Sequence, residues 1–436
     1  MRFFCSLILL SGCGIKVDYR GQQNQVRAQI AKNDFKQARI LTENKKFLEN
    51  KKSILLKKLE QGTTAYYDGQ NYIALRYFDD AYGIAENLYT TRLKSKFAAV
   101  IDENHDIYYG LDYELGMIRF FQSLLHYKIY LSGVYEFSEY FGENVVKIKQ
   151  KNLTENERRT HLFSSRAAIL NWNSLLSTQK NEGRLKNEQE ELFFKLWGSF
   201  IHAQIGTRDD ARIAIHLLGD AKKIVQRMQN SHISVGEIDE KITAIETQVN
   251  VKVVLFDDFI VQKQIQQFPF FDPNLGFVVS YETLEIIKPS KINEYFVKIQ
   301  SLNGDIVLNK KMTIDSFVSG VAFDAIDNLK TSVNAKAHAR VAAKVATYIA
   351  LEIGGRGRDD SGTQLFLLAA RVTMLNSISE QKIDTRQWLT LPSEILSVDA
   401  KLKPGKYELK LTKNNKPWST KKFVVKEGFT LIDLKN

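Results

Sequence analysis

Asp384, Arg386 and Trp388 alternate in one short run of the chain. In extended backbone they share a face, where carboxylate and guanidinium can pair through two hydrogen bonds and the indole can pack on the guanidinium plane. Such a trio either grips a ligand or acts as a latch that docks the strands following it, and a latch is the expectation here. A second set is Lys336, Arg340 and Lys344. Their spacing of i, i+4 and i+8 makes one basic stripe on a helix, able to face an anionic glycan or lipid headgroup or simply to be solvated. Arg356 and Arg358 follow in the loop from Gly354 to Gly362. That loop lacks a Gly-Lys-Ser/Thr signature and does not follow a strand pattern, so it is not read as a nucleotide loop. The seven histidines are scattered, with no HExxH and no metal-ligand spacing, and there is no GxSxG elbow. The carboxylate pairs Asp257-Asp258 and Asp359-Asp360 read as turn residues without partners, which leaves glycosidase chemistry unsupported. No catalytic residue, metal or cofactor is therefore expected.

One residue near the start has different chemistry. Met1-Arg2 precedes an apolar run from Phe3 to Leu10, then Ser11, Gly12 and Cys13. An apolar segment can enter an export channel, two small residues let a peptidase reach the backbone, and a thiol can accept a diacylglycerol. The run Leu10-Ser11-Gly12-Cys13 resembles the lipobox of bacterial lipoprotein signals. The resemblance implies a signal peptide over residues 1–12, a lipidated tether over 13–21, and a covalent N-terminal lipid (diacylglycerol and palmitate) on Cys13. The residue after Cys13 is Gly14 rather than aspartate, which implies an outer-membrane destination facing the periplasm.

Composition fits that expectation. The only cysteines are Cys5 and Cys13. Once one is removed and the other acylated, no thiol remains for nucleophilic, metal or redox chemistry. The chain of 436 residues is 44% hydrophobic and 25% charged, ordinary values for a packed protein of two or three domains. The net charge is +11. In an exported protein that charge points to anionic headgroups, acidic glycans or an acidic partner, and not to nucleic acid. The longest later apolar run, Leu365 to Leu375, contains Arg371 and is too short for a span of about 20 residues.

The elements that must carry these residues fall into two halves. From residue 22 to 250 apolar residues recur at helical spacing, and proline is absent before Pro269. Gly62, Ala65, Gly69, Ala74, Phe78 and Ala81 follow the small-and-large spacing of a tetratricopeptide unit. Ser199, His202, Gly206, Ala211, Ile215 and Leu218 repeat it 137 residues later. The aromatics Tyr66, Tyr67, Tyr72, Tyr77, Tyr108, Tyr109, Phe120, Phe121, Tyr127 and Tyr130 are expected to form inter-helix core. From residue 251 to 436 the pattern is mixed. Strands are expected over 251–256, 276–287, 294–300 and 305–313, with a turn at Asn303-Gly304. Helices are expected over 333–352 and 365–377. Strands return over 395–402, 406–412, 421–426 and 430–434, with turns at Pro404-Gly405 and Asn414-Asn415. The fold class is therefore α+β and multidomain: all-α tetratricopeptide-like repeats, then a mixed α+β region ending in a small β-sandwich or meander.

The run from Glu380 to Pro392, followed by Pro404-Gly405-Lys406-Tyr407, resembles a family of uncharacterised bacterial lipoproteins with an acidic-x-Arg-x-Trp-x-x-Leu-Pro run and a Pro-Gly-x-Tyr strand. Leu59-Glu60-Gln61-Gly62, Arg166-Ala167-Ala168-Ile169-Leu170 and Ala339-Arg340-Val341-Ala342-Ala343-Lys344-Val345 agree in order; the Gly354–Gly362 loop departs from the pattern. Family members accompany lipoproteins similar to curli-export factors and to activators of penicillin-binding proteins. The resemblance thus implies a non-catalytic outer-membrane lipoprotein. It would serve as a periplasmic scaffold or accessory subunit in envelope assembly or peptidoglycan-synthase regulation, held to the membrane by its lipid beside an envelope protein partner. The alternatives are an envelope-polymer hydrolase or an anionic lipid- or glycan-binding module.

Overall fold

Helical periodicity in the first half becomes nine helices among the described residues. The computed structural model describes residues 19–94, 107–141, 144–183, 188–229, 231–272, 277–289, 292–355 and 383–435, with isolated positions 366, 369, 370 and 373. The signal and lipobox, most of the Gly354–Gly362 loop and most of the 365–377 helix lie outside them. The helices are α1 (Tyr19–Ala31), α2 (Phe35–Glu43), α3 (Ile54–Tyr67), α4 (Asn71–Lys94), α5 (Asp112–Ser132), α6 (Glu155–Asn181), α7 (Glu188–Ile205), α8 (Arg208–Arg227) and α9 (Val235–Glu246). Local chemistry starts several of them. Thr154 and Ser234 accept from the N–H of Glu157 and Glu237, and each glutamate answers the cap's own N–H, forming capping boxes. A hairpin of β1 (Val134–Phe141) and β2 (Asn144–Asn152) interrupts the helices, a feature the helical reading of 22–250 did not contain.

The second half supplies two four-stranded sheets. One has the order β12 (Thr430–Lys435), β3 (Val251–Phe259), β9 (Pro392–Ala400), β8 (Thr313–Ser316). The other runs β11 (Lys416–Val425), β10 (Gly405–Lys413), β6 (Tyr295–Ser301), β7 (Ile306–Lys311). All pairings are antiparallel except β12 with β3. Gly304 turns β6 into β7 at φ 91°, and Asn414 and Asn415 turn β10 into β11 at φ 50° and 64°. Two successive positive φ values match the twist of a tight hairpin. A separate hairpin, β4 (Lys263–Asp272) with β5 (Phe277–Ile286), packs on α10 (Val318–Gly355). The first half is thus mainly helical and the second mainly strands, an α+β fold.

Two expectations are corrected. The strand at Lys263–Asp272 was not anticipated. The helix expected from residue 333 begins at Val318, because Val318, Val321, Ala322 and Ile326 already bury one helical face.

Period-two alternation explains how the layers stack. In β3 the side chains of Val251, Val253 and Leu255 enter the core between the two sheets, while Val254 and Phe256 enter the helical core. Both faces of β3 are buried, so its sequence lacks the apolar–polar alternation of a half-exposed strand, and its buried Lys252 is paired with Asp399. Phe256 meets Tyr66 and Phe121 at ring-centroid distances of 5.3 and 6.4 Å. The aromatics Tyr66, Tyr67, Tyr108, Phe120, Phe121 and Tyr127 are buried as expected; Tyr72, Tyr77, Tyr109 and Tyr130 are half-buried.

Glycine allows α3 and α4 to pack closely. A Cβ on Gly62 would lie 2.7 Å from the fully buried ring of Phe78, whereas one on Gly83 would meet nothing within 4 Å. Gly62→Ala is expected to destabilise by about 1–3 kcal/mol through overpacking. Gly83→Ala in the same helical layer is expected to be neutral or stabilising by about 0.5–1 kcal/mol. Urea denaturation of both variants checks the pair; equal effects would contradict the packing.

Candidate functional site

Residues 383–391 carry the Asp384, Arg386 and Trp388 run, and they are not a strand. Extended pairing would have placed all three on one face. Instead the segment is irregular backbone threaded between α3, α5 and the β4 strand, so its polar groups need partners other than a ladder. Asp384 and Arg386 do pair, at 2.9 Å (Nε to Oδ1) and 2.7 Å (Nη2 to Oδ2). The guanidinium also reaches the Lys52 carbonyl and the Ser53 hydroxyl, each at 3.3 Å. Trp388 does not pack on Arg386: the aromatic ring beside the guanidinium is Tyr108, at 5.8 Å. The Trp388 indole is fully buried against Phe78 and Phe121, at 5.7 and 5.9 Å, and donates from Nε1 to Thr63 Oγ1 at 2.7 Å.

Two helix carboxylates receive the segment's backbone. Glu114 Oε1 accepts the Trp388 N–H at 2.9 Å, and Glu60 Oε1 accepts the Leu389 N–H at 2.8 Å. The second oxygen of Glu114 accepts from the Tyr108 hydroxyl and the Leu111 N–H. Gln387 is equally committed. Its Nε2 donates to the Val261 carbonyl, its Oε1 accepts the Lys263 N–H, and its carbonyl accepts from Gln23 Nε2. The Lys263 ammonium then donates to the Arg386 carbonyl at 3.1 Å. Burial pushes Glu60 up to about 7, against the opposing hydrogen bonds of Thr390, Leu389 and Gln23. Burial also raises Glu114. Burial favours the neutral form of each carboxyl, and the hydrogen bonds they accept oppose it.

Neither carboxylate was singled out from the sequence, although a signal was present. Glu60 lies on the helical face of Leu56, Thr63 and Tyr67, and Glu114 on the face of Met117, Ile118 and Phe121, all buried. A glutamate inside an apolar stripe is a buried group needing a partner.

The remaining candidates are placed as follows. Lys336, Arg340 and Lys344 lie along one side of α10, Lys336 exposed and the other two half-buried. Asp257 is not a turn residue without a partner. It is a fully buried member of β3, 3.2 Å from the Lys413 ammonium and directly opposite Glu394 of β9. Burial and Asp257 together push Glu394 up to about 8. Asp359 and Asp360 lie outside the described residues. Among the histidines, His126 and His161 approach to 3.0 Å between their Nδ1 atoms, and burial lowers His126 to about 4. His202 pairs with Asp210 at 2.7 Å. Among the described residues no group of three or more histidine, cysteine, aspartate or glutamate side chains is arranged to hold a metal ion. No described helix is long and apolar enough to cross a membrane.

A second anchor fastens the last strand. Asp433 of β12 meets the Lys128 ammonium at 2.5 Å and accepts from the Tyr66 hydroxyl at 3.2 Å. Against the upward push of burial, Lys128 and Lys435 hold Asp433 well below the usual carboxylate range. Lys435 is lowered to about 7, chiefly by burial.

No family model, curated protein or solved structure matches this chain.

Two measurements follow from the buried groups. Trp388→Ala is expected to cost about 3–5 kcal/mol, and Trp388→Phe less, because it loses the Thr63 bond but keeps most of the ring contacts. Denaturation that left Trp388→Ala as stable as wild type would contradict the placement. Glu190 is buried in α7, with burial and then Asp112 pushing it up to about 8. A carboxyl raised above its unfolded value stabilises most below about pH 4.5 and loses that contribution as pH rises through about 8. Glu190→Gln is therefore expected to exceed wild type in Tm at pH 9 and to lie close to it at pH 5. A gap independent of pH would contradict the shift.

Proposed function

We propose that this protein is a non-catalytic, lipid-anchored accessory subunit of the bacterial envelope, acting from the outer membrane as a periplasmic scaffold. Its place would be in envelope assembly or peptidoglycan-synthase regulation, as the resemblance of residues 380–392 and 404–407 implies. The observation that carries the reading is how the most chemistry-bearing segment is used. Trp388 bonds to Glu114 and Thr63, Leu389 to Glu60, Arg386 to Asp384 and Ser53, and Gln387 to Val261 and Lys263, so the segment ties helices to strands. A body locked in this way keeps its outer faces in fixed relation, which is what a bracket between a membrane and a partner requires.

The tetratricopeptide-like reading of the helices belongs to the same proposal. The antiparallel pairs α3–α4 and α7–α8 turn at Gly69 and Gly206 with φ 77° and 78°, which supports the 137-residue repeat. The correspondence is degenerate further on: Phe78 is fully buried and its counterpart Ile215 is 38% exposed.

One observation favours a second reading, an envelope-polymer hydrolase. Asp257 and Glu394 face each other across β3 and β9, and burial with Asp257 raises Glu394; paired carboxyls of this kind can serve as acid and base. Both are buried beneath Lys413 and Tyr295, which favours a structural pair over a reactive one.

Cross-linking of the tagged full-length protein in native membranes, followed by mass spectrometry, tests the proposal beside a Cys13→Ala control. The expected result is a component of the cell-wall or export machinery, recovered with the wild type and lost with the control. New peptidoglycan fragments released by the purified protein, and abolished by Glu394→Gln, would replace the scaffold with the hydrolase.

A further inference from the structure

The stretch from Asn44 to Leu59 holds six lysines in three adjacent pairs, Lys45-Lys46, Lys51-Lys52 and Lys57-Lys58, with Glu49 its one acid. The fold gathers them where α2 passes into α3. A surface cleft of about 550 Å³ opens there, lined by Lys45, Lys51, Lys57 and Lys58 together with Ile54 and Tyr77. The Lys58 ammonium lies 5.2 Å from the Tyr77 ring centroid. Ile54 stands 37% exposed among the lysines. Glu49 also lines the cleft and Lys58 is paired with Asp80 at 2.8 Å, while burial, and then Lys58, lowers the Lys57 ammonium. Positive charge around an exposed aliphatic side chain is the composition of surfaces that sit at a lipid headgroup layer.

The position of the cleft says which anion. The first turn of α1 is bonded to its wall: Gln22 Oε1 accepts the Leu48 N–H at 2.9 Å, and Gln22 Nε2 donates to the Lys46 carbonyl. α1 begins at Tyr19, six residues after Cys13. Six residues reach at most about 22 Å. A lipid on Cys13 would therefore hold the first turn of α1, and the cleft wall bonded to it, within about 22 Å of the membrane surface.

We propose that the Lys45–Lys58 cleft is a membrane-contact site that binds anionic phospholipid headgroups and orients the protein on the bilayer. This rests on the lipid-anchored reading for its choice of partner. It assigns the headgroup contact to the α2–α3 connection, where the sequence pattern alone had pointed to Lys336, Arg340 and Lys344. One acyl chain holds a protein only marginally, and a basic patch beside it is the second signal that makes attachment stable.

The test separates the cleft from the anchor. The full chain carrying Cys13→Ala, which cannot be acylated, is mixed with vesicles of phosphatidylcholine alone or with phosphatidylglycerol added, and sedimented. Sedimentation with the neutral vesicles measures any contribution of the apolar leader. The expected result is stronger binding to the anionic vesicles, weakening as salt is raised. Lys45→Glu, Lys46→Glu and Lys51→Glu together should reduce the anionic component by about 100-fold or more, since each lysine near such a surface contributes roughly a factor of five. The milder Lys→Gln set at the same positions should give a smaller loss, and unchanged Tm in either set shows that folding is intact. Reversal of Lys336, Arg340 and Lys344 should leave binding unchanged. Equal binding to neutral and anionic vesicles, insensitivity to the 45–51 reversals, or loss on reversing the α10 stripe would each overturn the proposal. So would capture of soluble polyglutamate without vesicle binding, which would assign the cleft to an acidic protein. Acylation of Cys13 is read independently, by mass spectrometry of the protein purified from native membranes.

Discussion

The structure depends on one constraint: a stretch of backbone without a strand partner runs through a buried core, and its N–H groups must be satisfied there. Glu114 and Glu60, from two different helices, accept the N–H groups of Trp388 and Leu389. An unpaired buried N–H costs about 1–3 kcal/mol, so the two carboxylates decide whether the segment can lie where it does. Their own burial raises both carboxyls, and the same bonds work against that rise. Once the segment is held, Trp388 fills the space between Phe78 and Phe121, and the helical core becomes continuous with Phe256 of β3 and Ile395 of β9. The helices and the sandwich then share a core, with β3 contributing to it on one face and to the inter-sheet core on the other.

Much of the architecture was legible because its signals are local. Helical periodicity over the first half, alternation in Tyr407-Glu408-Leu409-Lys410-Leu411, and the turns at Asn303-Gly304 and Asn414-Asn415 each depend on residues within a few positions of one another. The inter-helix role of Phe120, Phe121 and Tyr66 followed from composition alone. The start of α10 was missed for a local reason of the opposite kind. Ser319 and Gly320 obscure a stripe that Val318, Val321, Ala322 and Ile326 nevertheless complete.

The candidate site was legible only in part. The Asp384–Arg386 pair is set by a separation of two residues, and it forms. Alternation was a poor guide to the rest, because Arg386 and Trp388 find partners 274 to 334 residues away and not across a neighbouring strand. Nothing in residues 383–391 themselves names Glu60, Glu114 or Thr63. The same holds for Asp257, where a sequence pair with Asp258 suggested a turn while β9 and Lys413 supply its surroundings. Glu60 and Glu114 were the recoverable omission, since each sits in register with apolar neighbours on its own helix.

A scaffold reading therefore rests on the segment from 383 to 391 being structural and inaccessible. Native-state hydrogen exchange of the Trp388 and Leu389 amides tests this most directly. These amides are expected to exchange only through global unfolding, with protection equal to the most stable amides of β3 and falling in step with them as denaturant is added. Exchange at the rate of an exposed loop, or through a local opening insensitive to denaturant, would show that the segment leaves the core under native conditions and would contradict the account.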